Sequence, residues 1–186
     1  PDEGFEVRPY YREEDLAGLG TSRVLPGEPP YIRGVRSGRN DWIIRQDFRE
    51  EEPSEINAQI REAAGKGVNG IGIRAGKIST HKQMSEALSG LDVEKTEVNF
   101  TSGLSYPLTL ELFIYELMHR GVNREKVTGS INFDPIGYLL LHGKYYQTWQ
   151  QNLEEGAYLL ETVANKLPAY RAITINAAFF QNAGST

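Results

Sequence analysis

The sequence contains no cysteine and few histidines. The absence of cysteine excludes disulfides, thiolate catalysis and cysteine-ligated metals, and it fits a reduced compartment, so we expect a cytoplasmic protein. The three histidines stand apart from one another along the chain, without the spacing of a metal-ligand set. We therefore predict no metal site in these residues.

Long apolar runs and an excess of basic residues are also missing. No apolar run approaches the roughly 20 residues that cross a bilayer, and no charged-then-apolar leader opens the sequence. The net charge of −5 provides no basic field for nucleic acid. We therefore expect neither a membrane nor a nucleic-acid partner.

Three stretches alternate large apolar residues with small polar ones, which is the period of a strand that has two different faces. They are residues 98–101, 130–134 and 173–176, the last within a predicted strand at residues 171–177, and long helical patterns separate them. Two further strand candidates precede them, at residues 42–48 and 69–74. The order strand–helix–strand predicts an α/β fold of the (β/α)8 TIM-barrel type, incomplete, with about five parallel strands. We expect the remaining strands of such a barrel to lie outside these residues.

Residues 1–30 are rich in proline, glycine, tyrosine and charge, and they show no sustained period. We interpret them as an extended N-terminal arm or linker, followed by the barrel part over residues 31–186. The alternative is a disordered tail. We favour a packed arm because its large apolar residues should avoid water; they are Phe5, Tyr10, Tyr11, Leu16 and Leu19.

Two helical patterns predict buried positions. Leu110, Ile114, Leu117 and Met118 recur at helical spacing, which indicates a buried stripe. Residues 138–141 form an apolar run after a proline, and we interpret them as a buried helical turn.

The polar faces of the predicted strands suggest a ligand channel. A barrel normally fills its centre with branched apolar side chains, whereas amides there need water or a polar ligand as hydrogen-bond partners. The candidate channel residues are Asn99, Asn132 and Asn176, with Arg45 near one mouth. One alternative is that the amides bond only to one another and to buried water. Another is an antiparallel sheet with one solvated face.

Four segments resemble the adenosylcobalamin-dependent acyl-CoA mutases, of which methylmalonyl-CoA mutase is the best-known member. Residues 25–34 (LPGEPPYIRG) and 42–46 (WIIRQ) are similar to the amino-terminal signature of that family. Residues 129–134 (GSINFD) and 181–184 (QNAG) resemble two later family segments in the same order. The resemblance spans roughly residues 25–184. It implies a barrel whose axis admits the pantetheine arm of an acyl-CoA.

The sequence departs from the family at the positions that carry the chemistry. By the resemblance, Asp47 stands where catalytic members have a tyrosine, and Phe179 stands where they have a histidine. Glu154 falls near the arginine that pairs with the substrate carboxylate. The cobalt-ligating Asp-x-His-x-x-Gly motif is absent. We therefore predict no catalytic residues and no cofactor bound by these residues, with adenosylcobalamin (B12) belonging to the complete complex.

This pattern is similar to the small, non-catalytic subunits of the bacterial heterodimeric members. The resemblance implies that these residues are the N-terminal part of an isomerase subunit, which supports a large catalytic subunit. We expect the arm over residues 1–30 to bind that large subunit. One alternative is a competent acyl-CoA mutase of altered specificity. The other is a free-standing barrel that binds polar ligands through Asn99, Thr101, Asn132, Asp134 and Asn176.

Overall fold

A computed structural model describes residues 4, 6–19, 24–38, 41–49, 52–103 and 105–184. The chain divides into two units, Pro1–Trp42 and Ile43–Thr186. Phe5 lies outside the described residues.

Five strands form one parallel sheet in which each strand pairs with the next strand along the chain. A doubly wound sheet reverses this order part-way, whereas a (β/α)8 barrel keeps it. The predicted α/β fold with five parallel strands is therefore confirmed, and the antiparallel alternative is wrong. The strands are β1 (Arg45–Phe48), β2 (Gly70–Ala75), β3 (Glu97–Gly103), β4 (Gly129–Phe133) and β5 (Tyr170–Ile173).

Helices connect the strands and begin at residues that satisfy their first free N–H groups. Thr80, Ser105 and Thr148 each accept a hydrogen bond from the backbone three residues ahead. No helix in the described part of the chain is long and apolar enough to span a membrane. The helices are α1 (Pro53–Gly65), α2 (His81–Ala87), α3 (Tyr106–His119), α4 (Pro135–His142), α5 (Trp149–Lys166) and α6 (Ala177–Asn182), with 3₁₀ turns at Glu13–Leu16 and Arg124–Lys126.

The apolar side of the sheet faces the helices. Phe100 of β3 meets the ring of Phe113 in α3 at a centroid distance of 5.3 Å, and Phe133 of β4 meets Tyr106 at 5.4 Å. Ile131 is completely buried on the same side of β4. Because successive side chains alternate, the polar residues between these positions point to the opposite side.

Gly129 is required where β3, β4 and β5 meet. Its φ of +143° disfavours other residues, and a Cβ there would lie 1.8 Å from the carbonyl oxygen of Val98. The buried hydroxyl of Tyr170 lies 2.8 Å from that same oxygen and 3.0 Å from the carbonyl oxygen of Ser130. Because Gly129 has no side chain, β4 can approach the Val98 carbonyl of β3 closely. The Tyr170 hydroxyl of β5 then reaches carbonyl groups of both strands.

Some residues that we predicted to be buried are exposed. Leu110, Ile114 and Leu117 of α3 are buried as predicted, but Met118 exposes 61% of its surface. The predicted buried turn at residues 138–141 is also wrong for its last two members, because Leu140 and Leu141 on α4 are exposed.

The predicted strand at residues 171–177 is shorter in the structure. It ends at Ile173, and Asn176 is the N-cap of α6, accepting a hydrogen bond from the backbone N–H of Ala178. Ile173 and Ile175 are exposed because β5 is an edge strand, which α5 covers only in part. They line an apolar groove of about 320 Å³ beside α5.

The unit Pro1–Trp42 holds its described residues together by short-range contacts. Arg8 Nη1 donates to Asp15 Oδ1 at 2.8 Å, and the backbone N–H of Gly27 donates to the carbonyl of Gly34 at 2.9 Å. Tyr10, Tyr11, Leu16 and Leu19 each expose half or more of their surface. The expectation that these side chains are packed is therefore wrong within this chain, since local turns offer no apolar surface large enough to cover them.

Candidate functional site

Polar side chains of β3 and β4 form a connected network on the side of the sheet that faces away from the helices. The Asn99 amide nitrogen donates to the carbonyl of Ile71 in β2 at 3.1 Å. The Ser130 hydroxyl lies 2.7 Å from Oδ1 of Asn99 and 2.7 Å from Oδ1 of Asn132. The Thr174 hydroxyl reaches Oδ1 of Asn132 at 3.0 Å. The network therefore extends across four strands from β2 to the end of β5.

Most of the hydrogen-bonding capacity of this network is used internally. Asn99 is completely buried and Asn132 is half-buried. A serine hydroxyl carries one proton, so Ser130 can donate to one of its two amide neighbours at a time. Asn99 and Asn132 thus bond to neighbouring side chains and backbone. A ligand on this face remains a prediction, and the half-buried Asn132 is the amide best placed to meet one.

Asn176 lies apart from the other two amides. Its side chain caps α6, and its backbone N–H donates to Asp134 Oδ2 at 3.1 Å. Asp134 Oδ1 accepts from the backbone N–H of Gly137 at 2.7 Å, so this carboxylate joins the start of α4 to the start of α6. The side chains of Asn176 and Asp134 therefore both accept hydrogen bonds from backbone N–H groups at the starts of α4 and α6.

Arg45 and Asp47 pair with each other at the β1 edge of the sheet. Arg45 Nε donates to Asp47 Oδ1 at 2.7 Å, and both side chains are partly exposed. A Cβ on Gly72 of the neighbouring strand would lie 1.7 Å from Asp47 Oδ1, so the glycine leaves room for this carboxylate. The cation predicted at the channel mouth is therefore already neutralised by the acid two residues later.

The structure does not bring Phe179 and Glu154 together with this pair. The Phe179 ring packs against Gly137 of α4, where a Cβ would lie 3.0 Å from it. Glu154 is exposed on α5, and its carboxylate accepts from the Gln150 amide at 3.0 Å. Both side chains thus belong to the helical layer. Their correspondence to family catalytic positions stays a prediction.

Two tyrosines around Phe133 are held in their neutral form. Burial raises the pKa of Tyr106, and the carboxylates of Glu155 and Asp134 raise it further. Burial also raises the pKa of Tyr146, whose hydroxyl donates to Glu155 at 3.2 Å. Both phenols therefore stay protonated to a higher pH than an exposed tyrosine.

Sequence reasoning missed a cluster between α2 and α3. His81 Nε2 lies 2.6 Å from Oε2 of the buried Glu116, and the His81 and His119 rings are 5.3 Å apart. Arg120 donates to the other oxygen of Glu116. Two of the three histidines are therefore neighbours in space. The prediction that the histidines stand apart is wrong for this pair. Their separation of 38 positions hides the contact, although Glu116-x-x-His119 was visible as two residues on one helix face.

The described residues provide no recognisable cobalamin ligand. The third histidine, His142, stacks against Tyr138 at a centroid distance of 4.2 Å and stands outside any Asp-x-His-x-x-Gly motif. No step of chemistry on that cofactor is therefore derived from these residues.

The sequence profile of the family described as methylmalonyl-CoA mutase matches residues 1–77 and 71–186. Together the two matches span the chain. The chain belongs to the methylmalonyl-CoA mutase family. The resemblance of the four sequence segments to that family is thereby confirmed.

Named relatives within this family include both subunit types. A methylmalonyl-CoA mutase small subunit of Porphyromonas gingivalis is 29% identical over 187 residues, covering 99% of this chain and 29% of the relative. A methylmalonyl-CoA mutase large subunit of the same organism is 24% identical over 212 residues, with 99% and 29% coverage. A methylmalonyl-CoA mutase of Rhizobium meliloti is 26% identical over 213 residues, with 99% and 30% coverage. The chain thus spans about three tenths of the length of these relatives.

Proposed function

We propose that this chain is the N-terminal part of a small, non-catalytic subunit of a cytoplasmic methylmalonyl-CoA mutase, and that it supports a large catalytic subunit in a heterodimer. The large subunit would isomerise methylmalonyl-CoA and succinyl-CoA by a cobalamin radical mechanism. Acyl-CoA remains a candidate ligand of the polar face. The observation that carries the proposal is the ion pair between Arg45 and Asp47.

The ion pair opposes catalysis on a substrate that carries a free carboxylate. Such a reaction requires a cation for the carboxylate and a hydrogen-bond donor for the thioester carbonyl. Asp47 pairs with Arg45, so the charge of this cation is already neutralised and is not free to bind the substrate carboxylate. Phe179, which stands at a family histidine position by the resemblance, offers no donor.

The relatives and the exposed apolar residues support a protein partner. A small and a large subunit of one organism both match nearly the whole chain, which is what a duplicated pair of subunits would produce. The described aromatic and leucine side chains of residues 1–30 are exposed. Surfaces of this kind commonly mark interaction sites. We therefore propose that this arm binds the large subunit.

The arm is tested by substitution in the full-length subunit co-purified with its large subunit. Replacing Tyr10, Tyr11, Leu16 and Leu19 by serine should weaken the heterodimer by roughly tenfold or more, because aromatic anchors carry much of an interface. Analytical ultracentrifugation over a dilution series measures the change. The matched control replaces Tyr115 and Met118, which are similarly exposed on α3, by serine, and it should assemble like the unaltered subunit. Undiminished assembly of the arm variant would refute the assignment.

The alternative of a competent mutase is tested separately. The full-length subunit alone, supplied with adenosylcobalamin and methylmalonyl-CoA, should produce no succinyl-CoA, whereas the heterodimer should produce it. Turnover by the subunit alone would overturn the non-catalytic assignment and favour an enzyme of altered specificity. Restoring a tyrosine at Asp47 by itself should not create activity, because a donor in place of Phe179 would still be missing.

A further inference from the structure

We propose that His81, Glu116 and His119 form a binding site for a single transition-metal ion, with zinc(II) as the preferred ion, between α2 and α3. One ligand atom from each residue lies within 4.8 Å of the other two. The site does not depend on the proposed function, since its residues lie on two helices and include no residue of the polar face.

Two short elements determine this geometry. Glu116 and His119 are three residues apart in the last turn of α3, so they share one helix face. His81 is the first residue of α2, immediately after the Thr80 cap, and α2 packs against α3. The cap and the packing therefore direct one imidazole from α2 toward a carboxylate and a second imidazole on α3.

The carboxylate is held in a defined orientation. Glu116 is 1% exposed, and its Oε1 accepts a hydrogen bond from Arg120 Nε. The same guanidinium donates to the carbonyl oxygens of Leu88 at 2.9 Å and Leu91 at 3.3 Å, just beyond the end of α2. Arg120 thus occupies one oxygen and leaves Oε2 facing His81. Hydrogen bonds of this kind orient ligands in established metal sites.

Two imidazole nitrogens and one carboxylate oxygen are a donor set that zinc uses when a fourth position stays open to water. Calcium and magnesium prefer oxygen ligands throughout, so the two imidazoles disfavour them. His119 is exposed and the side chain of His81 is 30% exposed, so an ion can enter from solvent. Water would occupy the fourth position.

Ion binding requires a small rearrangement. Ligand atoms around tetrahedral zinc lie roughly 3.3 Å apart, given metal–ligand bonds of about 2.0–2.1 Å. The contact of 2.6 Å between His81 Nε2 and Glu116 Oε2 must therefore open slightly, while His119 moves inward. His119 is exposed in the last helical turn, where its side chain has room to turn. The positive charge of Arg120 beside Glu116 weakens the site relative to one without a nearby cation.

Zinc titration of the metal-stripped full chain tests the site by isothermal calorimetry. Replacing either His81 or His119 by asparagine should weaken zinc binding by roughly tenfold or more, because each removes one of three protein ligands. The control is His142→Asn, which removes the third histidine of these residues from α4. This control variant should bind zinc like the unaltered chain.

A second measurement separates metal binding from a purely structural ion pair. Zinc should raise the melting temperature of the unaltered chain and of His142→Asn, and a chelator should reverse the rise. The rise should be lost in His119→Asn, whose exposed position leaves folding intact. Equal zinc affinity with and without His81 and His119, or an equal response to magnesium, would overturn the proposal.

Discussion

The two sides of the sheet consist of alternating residues in the same strands, yet different interactions stabilise them. On the helix side, Val98 and Phe100 are almost completely buried among apolar side chains. On the other side, Asn99 lies between them and is equally buried, but it bonds to Ile71 and Ser130. The apolar side depends on area removed from water, whereas the polar side depends on correctly placed partners.

This difference predicts different responses to mutation. Loss of an apolar side chain leaves a cavity whose cost grows with its volume. Loss of one polar partner leaves the other without a hydrogen bond, so the cost depends on whether both partners are removed. The following three predictions test this contrast.

The largest effect should come from the helix side. Phe100→Ala should reduce the free energy of unfolding by about 3–5 kcal/mol, because it removes a buried ring that packs on Phe113. Urea denaturation of the full chain measures this loss. Met118→Ala is the control, since Met118 is exposed on α3 and should change stability by about 0.5 kcal/mol or less. Similar losses in both variants would contradict the assignment of the core.

The polar side should show a smaller and strongly coupled effect. Asn99→Ala should cost about 1–3 kcal/mol, because it removes the amide that donates to the buried Ile71 carbonyl and leaves the Ser130 hydroxyl with Asn132 as its amide neighbour. Adding Ser130→Ala to this variant should cost less than it does in the unaltered chain, by roughly 0.5 kcal/mol or more. A double-mutant cycle measured by urea denaturation checks this. Strictly additive losses would show that the two side chains do not interact.

The smallest expected effect on stability concerns Tyr170, whose buried hydroxyl is a polar group on the apolar side of the sheet. Burial raises the pKa of its phenol well above the ordinary value. Above a pH of about 10, an unfolded tyrosine loses its proton while the folded one keeps it. The folded state then binds more protons, so stability falls as pH rises, by up to about 1.4 kcal/mol per pH unit.

Tyr170→Phe removes the contribution of this phenol to the pH dependence of stability. The variant should be less stable than the unaltered chain by about 1 kcal/mol at neutral pH, because two carbonyl contacts lose their donor. This deficit should shrink as the pH rises above about 10. A deficit that stays constant with pH would contradict a protonated Tyr170 in the fold.

Local patterns were sufficient to predict the strands and their order of connection. Alternation identified β3 and β4 with their two faces. These features depend on neighbours within a few residues, which a sequence displays directly. The same alternation predicted a strand through Ile175, but it could not reveal that β5 ends at Ile173 or that Ile173 and Ile175 stay exposed.

Contacts between distant positions could not be predicted in this way. The alternation predicted a polar face on β3 and β4, but it could not predict that Asn99 bonds to the Ile71 backbone and to Ser130, or that Ser130 lies against Asn132. The pairing of Arg45 with Asp47 depends on the space left by Gly72 in the next strand. Space and partners of this kind arise only when strands are placed side by side.

The amino-acid sequence by itself determined the parallel α/β architecture and the family, because periodicity and short segments are local properties of the chain. Only the tertiary structure decided which polar groups satisfy one another and which apolar residues stay exposed. It also decided that His81 meets Glu116 and His119. The physical reason is that hydrogen bonding and burial depend on distances in space, and residues far apart in the chain become neighbours only when the helices and strands pack.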